Sequence, residues 1–142
     1  MEAVVGQNEQ LVCINLQMLR ASHMVLKTYD DAYRPYGVRA TQLPVLNLIE
    51  QRGPVTIKVI ADETVSERSV LSRKLQVMEK HGWIVREGIP GSREQAYSLS
   101  DEGRDLLNKI RPVRLEVQDK LMGRLNDSER QLLLGLCDKL KD

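Results

Sequence analysis

The segment 53–100 constrains the fold of this 142-residue chain more than any other stretch. Apolar residues recur there at helical intervals over 57–63, and again over 67–81 after a short turn. Two short stretches suited to strands follow, and the turn sequence at 88–91, rich in glycine and proline, separates them. The segment is therefore predicted to form two consecutive helices and then a β-hairpin.

Helix, turn, helix, strand, turn and strand, in this order, make a winged helix-turn-helix, a unit that places its second helix in the major groove of DNA. The strands are predicted from Trp83 and over 95–99, with a further short strand at Val55. Thr56 and Ser66 stand where the two helices need N-caps, because their hydroxyls can accept hydrogen bonds from free N–H groups. The predicted fold class is mostly α with a small β wing.

The predicted helix 67–81 has one apolar and one polar side. Stepping about 100° per residue places Leu71, Leu75 and Met78 on the apolar side. The opposite side carries short hydroxyls and three longer polar side chains, namely Ser69, Ser72, Arg73, Gln76 and Lys80. Arginine can bind the major-groove edge of guanine and glutamine that of adenine, so this side is suited to reading bases. The alternative is an ordinary solvated polar face, which is what most such faces are.

Charge decides only weakly between these two alternatives. The whole chain has a net charge of +1. Residues 52–93 carry eight Lys and Arg against five Asp and Glu, and this local excess slightly favours a polyanionic partner. The DNA-binding interpretation therefore depends on the order of the elements more than on composition.

Long helices are predicted on both sides of this unit. Residues 8–35 carry two apolar stripes at three- and four-residue spacing, and so wide an apolar arc needs cover on two sides. A second subunit could supply one cover, and the alternative is the central helix of a monomeric bundle. Helices are also predicted over 42–51, from Ser100 through Pro112 without a break of phase, and over 129–140.

This order divides the chain into three predicted parts. They are an N-terminal dimerisation helix at 1–37, a winged helix-turn-helix lobe at 38–100 and C-terminal dimerisation helices at 101–142. Thr41 is the expected N-cap of the second helix, and Ser100 that of the long helix after the hairpin.

The sequence gives no support to several other classes of protein. Cys13 and Cys137 form no CxxC pair, which argues against zinc and a disulfide framework and fits a reducing compartment. His23 and His81 are isolated from other metal ligands. No phosphate loop, HExxH or nucleophile-elbow motif appears, so no enzyme, metal or cofactor is predicted. Without a signal peptide or an apolar run of about 20 residues, we expect a cytoplasmic protein with no membrane partner.

The helix-turn-helix, the sequence EKHGWIVRE at 79–87, and the wing leading into Leu99-Ser100-Asp101-Glu102-Gly103 resemble the MarR family of bacterial and archaeal transcription regulators. The resemblance extends over residues 11–140. It implies a homodimer held together by its N- and C-terminal helices. It also implies binding to a pseudo-palindromic DNA operator, usually as a repressor, and release by a small molecule or an oxidant.

The resemblance also implies which residues contact DNA. On the recognition helix and the wing they would be Arg68, Ser69, Val70, Ser72, Arg73, Gln76, Ser92 and Arg93. Two positions depart from the pattern of the family. Gly91 stands where the family usually has an aspartate that braces the wing arginine, and Val65 replaces the usual glycine of the turn.

Two kinds of release signal follow from the resemblance. A small aromatic or phenolic ligand could bind between the dimer helices and the DNA-binding lobe, in a pocket lined by Tyr29, Tyr33, Tyr36, Arg39 and Trp83. The alternative is that these residues belong to the core and its rim.

The second signal is oxidation. Cys13 occupies about the place of the reactive cysteine in the hydroperoxide-sensing branch of the family, and Cys137 of the opposite chain could lie close to it. The alternative here is two buried small apolar residues.

The leading functional prediction is thus a sequence-specific, homodimeric transcriptional repressor with no cofactor. A winged-helix module that binds another protein and has lost DNA binding is the alternative. The altered wing and the near-neutral net charge keep that alternative open.

Overall fold

The computed structural model describes residues 13–141. Helices and strands follow one another in the order α1 (Ile14–Tyr33), a 3-10 turn (Arg34–Tyr36), α2 (Leu43–Arg52), β1 (Val55–Thr56), α3 (Ile57–Thr64), α4 (Arg68–Lys80), β2 (Ile84–Gly88), β3 (Gln95–Leu99), α5 (Asp101–Met122) and α6 (Asp127–Lys141). The predicted fold class, mostly α with a small β wing, is confirmed. The predicted helix start at Asn8 lies outside the described residues.

The helix-turn-helix is made by α3 and α4. The Thr56 hydroxyl accepts a hydrogen bond from the Val59 N–H at 3.4 Å, as predicted for an N-cap. The prediction for Ser66 is wrong, because its hydroxyl bonds to Thr64 in the turn and Glu67 precedes α4 without capping it. The helix therefore begins at Arg68, one residue later than predicted.

The turn between α3 and α4 contains an unusual backbone conformation. Val65 has φ 51° and ψ 50°, which is the left-handed region, and its N–H bonds to the carbonyl of Ala61. Among the described residues, every other positive φ belongs to a glycine. Val65 therefore adopts the conformation for which glycine is best suited, at a cost in backbone strain.

The wing is an antiparallel β2–β3 hairpin, with Ile84 opposite Leu99 and Gly88 opposite Gln95. β1 pairs with the other side of β3, so Val55 lies opposite Tyr97 and the strand order is β1-β3-β2. The short strand predicted at Val55 is confirmed. The sheet connects the helix-turn-helix to the segment before it.

The core lies inside the winged lobe. Leu71, Leu75 and Met78 of α4 are fully buried, as the predicted apolar side requires. The cluster also includes residues of the flanking helices, from Tyr33 in α1 to Ile110 in α5. This core takes residues from all three predicted parts of the chain. The division into those parts stays a prediction.

Two caps fix the C-terminal helices. The Ser100 hydroxyl accepts a hydrogen bond from the Gly103 N–H at 3.0 Å and donates one to the Gly82 carbonyl, so the predicted cap is confirmed. α5 continues through Pro112 as one helix. Before α6, the side chains of Asn126 and Glu129 each accept a hydrogen bond from the other's backbone N–H.

The start of α2 differs from the prediction. Gln42, not Thr41, precedes the helix, and it makes no side-chain cap. Its amide oxygen instead accepts a hydrogen bond from the Arg39 N–H at 2.9 Å. The buried Gln42 side chain therefore braces the loop that leads into α2.

Apolar residues on the terminal helices remain uncovered. In α1, Tyr33 alone is buried, and α6 buries no residue. The exposed apolar residues of the two helices are Ile14, Leu16, Met18, Leu19, Met24, Val25, Leu132, Leu133, Leu134, Leu136 and Leu140. Exposed apolar residues in such number are typical of a surface that another molecule covers.

Candidate nucleic-acid interface

The outward side of α4 presents six of the eight predicted DNA-contact residues. Arg68, Ser69, Val70, Arg73 and Gln76 are exposed, and Ser72 is half-buried. Within residues 13–141, none of these side chains forms a hydrogen bond or an ion pair. Their polar groups are therefore available to a ligand without breaking an internal bond.

Contacts on both flanks hold α4 in one rotational setting. On the wing side, Glu79 pairs with Arg86 of β2 at 3.7 Å. On the opposite side, the Lys74 ammonium donates a hydrogen bond to the Thr41 carbonyl at 3.2 Å. Burial lowers the pKa of Lys74. The free side of the helix lies between these two contacts.

Ion pairs neutralise two of the carboxylates near this side. Glu79 is the one carboxylate within α4, and it pairs with Arg86. Arg52 pairs with Glu63 of α3 at 2.6 Å. Among the described residues, no carboxylate lies within ion-pair distance of four nearby cations, namely Arg68, Arg73, Lys80 and Arg93. The face is thus cationic although the whole chain is nearly neutral.

The tip of the wing is a hydrogen-bonded turn. The Ser92 N–H donates to the Ile89 carbonyl at 3.1 Å, and the Ser92 hydroxyl accepts from the Glu94 N–H at 3.0 Å. Gly91 has φ 77°, which suits glycine and not the aspartate of the family pattern. Arg93 is therefore carried by an ordered turn that Ser92 braces, while its side chain remains exposed.

Two of the five predicted pocket residues line one cavity. It has a volume of about 340 Å³ and lies among α1, α2 and α5, with Tyr29, Tyr33, Asn47 and Arg114 supplying its polar groups. The two tyrosine rings lie 5.6 Å apart between centroids. Burial and the neighbouring Tyr29 raise the pKa of Tyr33 to about 12, and the charge of Arg114 opposes this shift. Both phenols therefore stay protonated at neutral pH.

The other three predicted pocket residues lie elsewhere. Trp83 is buried in the lobe core and stacks on His81, with ring centroids 4.3 Å apart. Arg39 pairs with Asp30 at 3.3 Å and lines a separate, more polar cavity of about 600 Å³. Tyr36 lines neither cavity. The grouping of all five residues around one pocket is thus corrected, because only Tyr29 and Tyr33 lie on α1, and the other three belong to segments with different neighbours.

Arg114 is a cavity residue that was not among the predicted pocket residues. Its Nε atom is buried and has no hydrogen-bond partner within residues 13–141. The signal was present, because Arg114 lies four residues after Ile110 and three before Val117, both of which are buried. An arginine at these intervals on an apolar helix face indicates a charged group directed towards the core.

Both cysteines are exposed and unpaired within the described chain, Cys13 immediately before α1 and Cys137 in α6. Neither is one of the buried apolar residues that the alternative interpretation expected. Among residues 13–141, no group of His, Cys, Asp and Glu could hold a metal ion. No helix in that part of the chain is long and apolar enough to cross a membrane.

Comparisons with known proteins agree on one family. Residues 36–93 match the sequence model of the MarR family. The HTH-type transcriptional regulator YwoH of Bacillus subtilis is 23% identical over 115 residues, which cover 81% of this chain and 84% of that protein. Sco3205, a MarR family regulator from Streptomyces coelicolor solved in complex with DNA, superposes with a TM-score of 0.84 at 24% identity over 94% of this chain and 89% of that one. BpsR of Bordetella bronchiseptica, whose DNA binding is regulated by 6-hydroxynicotinic acid, superposes with a TM-score of 0.83 at 18% identity. The superposition covers 91% of this chain and 98% of that one.

The matched segment 36–93 contains α2, the helix-turn-helix and the wing tip, so it includes the whole candidate interface. The fold, the free cationic side of α4 and these relatives all indicate a DNA-binding regulator. Over residues 36–93 the chain thus matches the MarR family, and the relatives named above are transcriptional regulators.

Proposed function

We propose that this protein acts as a homodimeric repressor on a pseudo-palindromic operator, reading each half-site with α4. The observation that carries this proposal is the outward side of α4, where cationic and hydroxyl side chains are unbonded within the described chain while both flanks are fixed. Because α4 is held in one orientation, base-specific contacts by its side chains would cost little conformational entropy. Phosphate contacts from Arg68, Lys80 and Arg93 would supply salt-dependent affinity.

Dimerisation is supported by the uncovered apolar residues of α1 and α6. A twofold axis through these helices would present two copies of α4 to one side of a duplex. Half-sites about one helical turn apart, ~34 Å, would then fit both copies. In such a complex each wing would reach the minor groove next to its half-site, where Arg93 suits the negative potential.

The test is selection of bound fragments from genomic DNA, followed by salt-titrated binding to the selected site. Arg73→Ala should weaken binding by about 1–3 kcal/mol and relax the preference at one base position in each half-site. Arg104→Ala is the matched control, since Arg104 is an exposed arginine on α5, outside α4 and the wing, with no ion pair in the described residues. Its effect should be within twofold.

Two outcomes would change the proposal. If Arg73→Ala weakened binding to all sequences equally, Arg73 would be a phosphate contact. If the protein bound no duplex DNA at low salt, the repressor proposal would fail, and the protein-interaction module would be the better interpretation.

For the release signal we propose a small aromatic or phenolic ligand in the cavity lined by Tyr29, Tyr33 and Arg114. An arginine with an unbonded, buried Nε and two protonated phenols would suit a planar ligand that carries an anionic or carbonyl group. The regulation of BpsR by 6-hydroxynicotinic acid supports this chemistry. Calorimetric titration with a series of hydroxylated aromatic acids tests it, and Arg114→Met should abolish any binding that is found.

Oxidation is a second candidate signal, favoured by the exposure of Cys13 and Cys137. Peroxide treatment should then change the mass of the protein and release it from operator DNA, and Cys13→Ser should remove both effects. Unchanged operator affinity after oxidation would contradict this candidate.

A further inference from the structure

The outward side of α4 is not uniform across its width. Ser72 lies towards the flank where Glu79 contacts the wing, and Arg73 lies near the middle. Val70 and Val77 lie towards the other flank, where Lys74 contacts the loop before α2, and they are 51% and 43% exposed. The face therefore has a polar wing side and an apolar α2 side.

We propose that Val70 packs against the 5-methyl group of a thymine in each half-site. This inference rests on the proposed function, and it adds the chemical group that one position of the operator must carry. Thymine has the one apolar group on the major-groove edges of the four bases. A half-exposed valine beside Arg73 would favour that edge over the others.

The backbone prepares Val70 for such a contact. A β-branched side chain in a helix keeps one strongly preferred χ1 rotamer, so its two methyl groups have a fixed direction. Val70 is the third residue of α4, and the N-terminal residues of a recognition helix are those that reach base edges. Val77 lies two turns further along the helix, where it would contact the backbone or solvent.

Neighbouring residues complete the expected contact. Ser69 precedes Val70, Arg73 lies one turn after it, and both polar groups are unbonded within the described chain. They could bind the bases on either side while Val70 covers the methyl group between them. An apolar contact flanked by two polar ones fixes the register of the thymine.

The experiment is a uracil scan of the operator selected from random duplex DNA by the full-length protein. Uracil lacks only the 5-methyl group, so it leaves base pairing unchanged. Replacing one symmetric pair of thymines by uracil should weaken binding about fourfold per half-site, or about 15-fold for the pair, while other thymine pairs tolerate the change. Fluorescence anisotropy at constant salt gives the affinities.

Two variants link the effect to the side chain. Val70→Ala should bind thymine and uracil DNA equally at that position, with an affinity close to that of the wild-type protein for uracil DNA. Val77→Ala is the matched control, an equally small change at another exposed valine on the same helix, and it should keep the full preference for thymine.

The outcomes separate this inference from the proposed function. If the protein selects a DNA sequence but no thymine pair is sensitive, or if Val70→Ala keeps the preference, Val70 does not read a methyl group and the repressor proposal stands. If the protein binds DNA without selecting any sequence, base reading by Val70 is overturned while DNA binding remains. If it binds no DNA, both fail.

Discussion

The winged lobe buries most of its large apolar residues, whereas the terminal helices α1 and α6 leave many of theirs exposed. In the lobe, Leu46, Ile60 and Leu71 are completely buried by other parts of the same chain. Leu132 and Leu140 of α6 are more than half exposed, and so are Ile14 and Met24 of α1. One chain is thus enough to complete the lobe, whereas the terminal helices leave an apolar surface that we assign to a second copy.

The difference originates in the apolar patterns of α4 and α6. In α4 the two leucines and the methionine fall on one side, so a single packed layer covers them. In α6 the leucines at 132, 133, 134, 136 and 140 extend around the helix, and a single neighbour cannot cover them all. If two copies associate through these helices, the spacing of their lobes would depend on that association, while the core of each lobe is formed within one chain.

The largest expected effect comes from charging the apolar surface of α6. Leu132→Glu combined with Leu136→Glu should convert the dimer to monomers, since burial of a leucine contributes about 1.5–3 kcal/mol and four leucines are affected in a dimer. Sedimentation velocity measures the change, and operator affinity should fall with it. The fluorescence of Trp83, the single tryptophan of the chain, should stay unchanged because the lobe does not depend on α6.

Gln131→Glu provides the matched control, with a charge added at another exposed position of α6. It should leave the dimer intact. If the double variant remained a dimer, the second copy would have to bind through another surface, and the contrast between the two regions would lose its basis.

The next largest effect is expected at the junction of the lobe with α5. A Cβ atom at Gly103 would overlap the carbonyl oxygen of Trp83 and lie 2.9 Å from the Leu99 side chain. The Trp83 carbonyl cannot move freely, because it accepts a hydrogen bond from the Ser100 N–H at 3.0 Å. Gly103→Ala should therefore lower the free energy of unfolding by about 3 kcal/mol, measured by urea denaturation.

Gly135→Ala is the control for this prediction. Gly135 lies in α6, and an added Cβ would meet no atom within 4 Å. Alanine there should be neutral or slightly stabilising, by up to about 1 kcal/mol, since it favours the helix. Equal losses at both positions would contradict the idea that the junction is tightly packed and α6 is open.

A smaller effect should appear at alkaline pH through Tyr33, the residue by which α1 enters the lobe core. Burial raises its pKa to about 12 in the folded state, from about 10 when unfolded. The folded state therefore holds the phenol proton more tightly, and this contribution is complete below pH 10 and lost as the pH rises towards 12. Up to about 2 kcal/mol of unfolding free energy should be lost in this window.

Tyr33→Phe isolates this contribution from the titration of other groups. The variant should lose less stability than the wild-type protein between pH 10 and 12, as followed by urea denaturation at each pH. Parallel curves for the two proteins would indicate that α1 does not bury Tyr33 in solution, and the boundary between the two regions would lie elsewhere.

Local patterns in the sequence predicted the elements well. The inward residues of α4, the short strand at Val55 and the cap at Ser100 follow from spacing and residue type alone, and the structure confirms them. The DNA-contact residues stay predictions, although the structure leaves their side chains exposed. Contacts between distant segments were predicted less well: spacing indicates that Arg114 faces the core, but no local pattern shows that it lines the same cavity as Tyr33.

Two further errors have local causes. Residue type predicts Ser66 as a cap, but its hydroxyl lies 2.9 Å from the Thr64 hydroxyl and bonds to it instead. Trp83 was assigned to the pocket, but its ring stacks on His81 and fills the lobe core. In both cases a competing contact within the turn or the core decides the position of the side chain.

The smallest predicted effect concerns Val65, where the lobe carries a strained residue. A valine in the left-handed region costs about 1–3 kcal/mol, and part of this is recovered by glycine after its own entropy cost of about 0.5–1 kcal/mol. Val65→Gly should therefore raise the free energy of unfolding by about 1 kcal/mol, measured by urea denaturation. Removing the side chain loses little burial, because Val65 is 81% exposed.

Val65→Ala separates the backbone effect from the loss of the side chain. Alanine keeps a Cβ at the same positive φ, so it should recover much less stability than glycine. No gain with glycine would mean that the turn relaxes in solution. If glycine raised the stability but weakened operator binding, the strained turn would set the angle between α3 and α4 that DNA recognition requires. The buried core of the lobe would then not be enough by itself to fix the geometry of the helix-turn-helix.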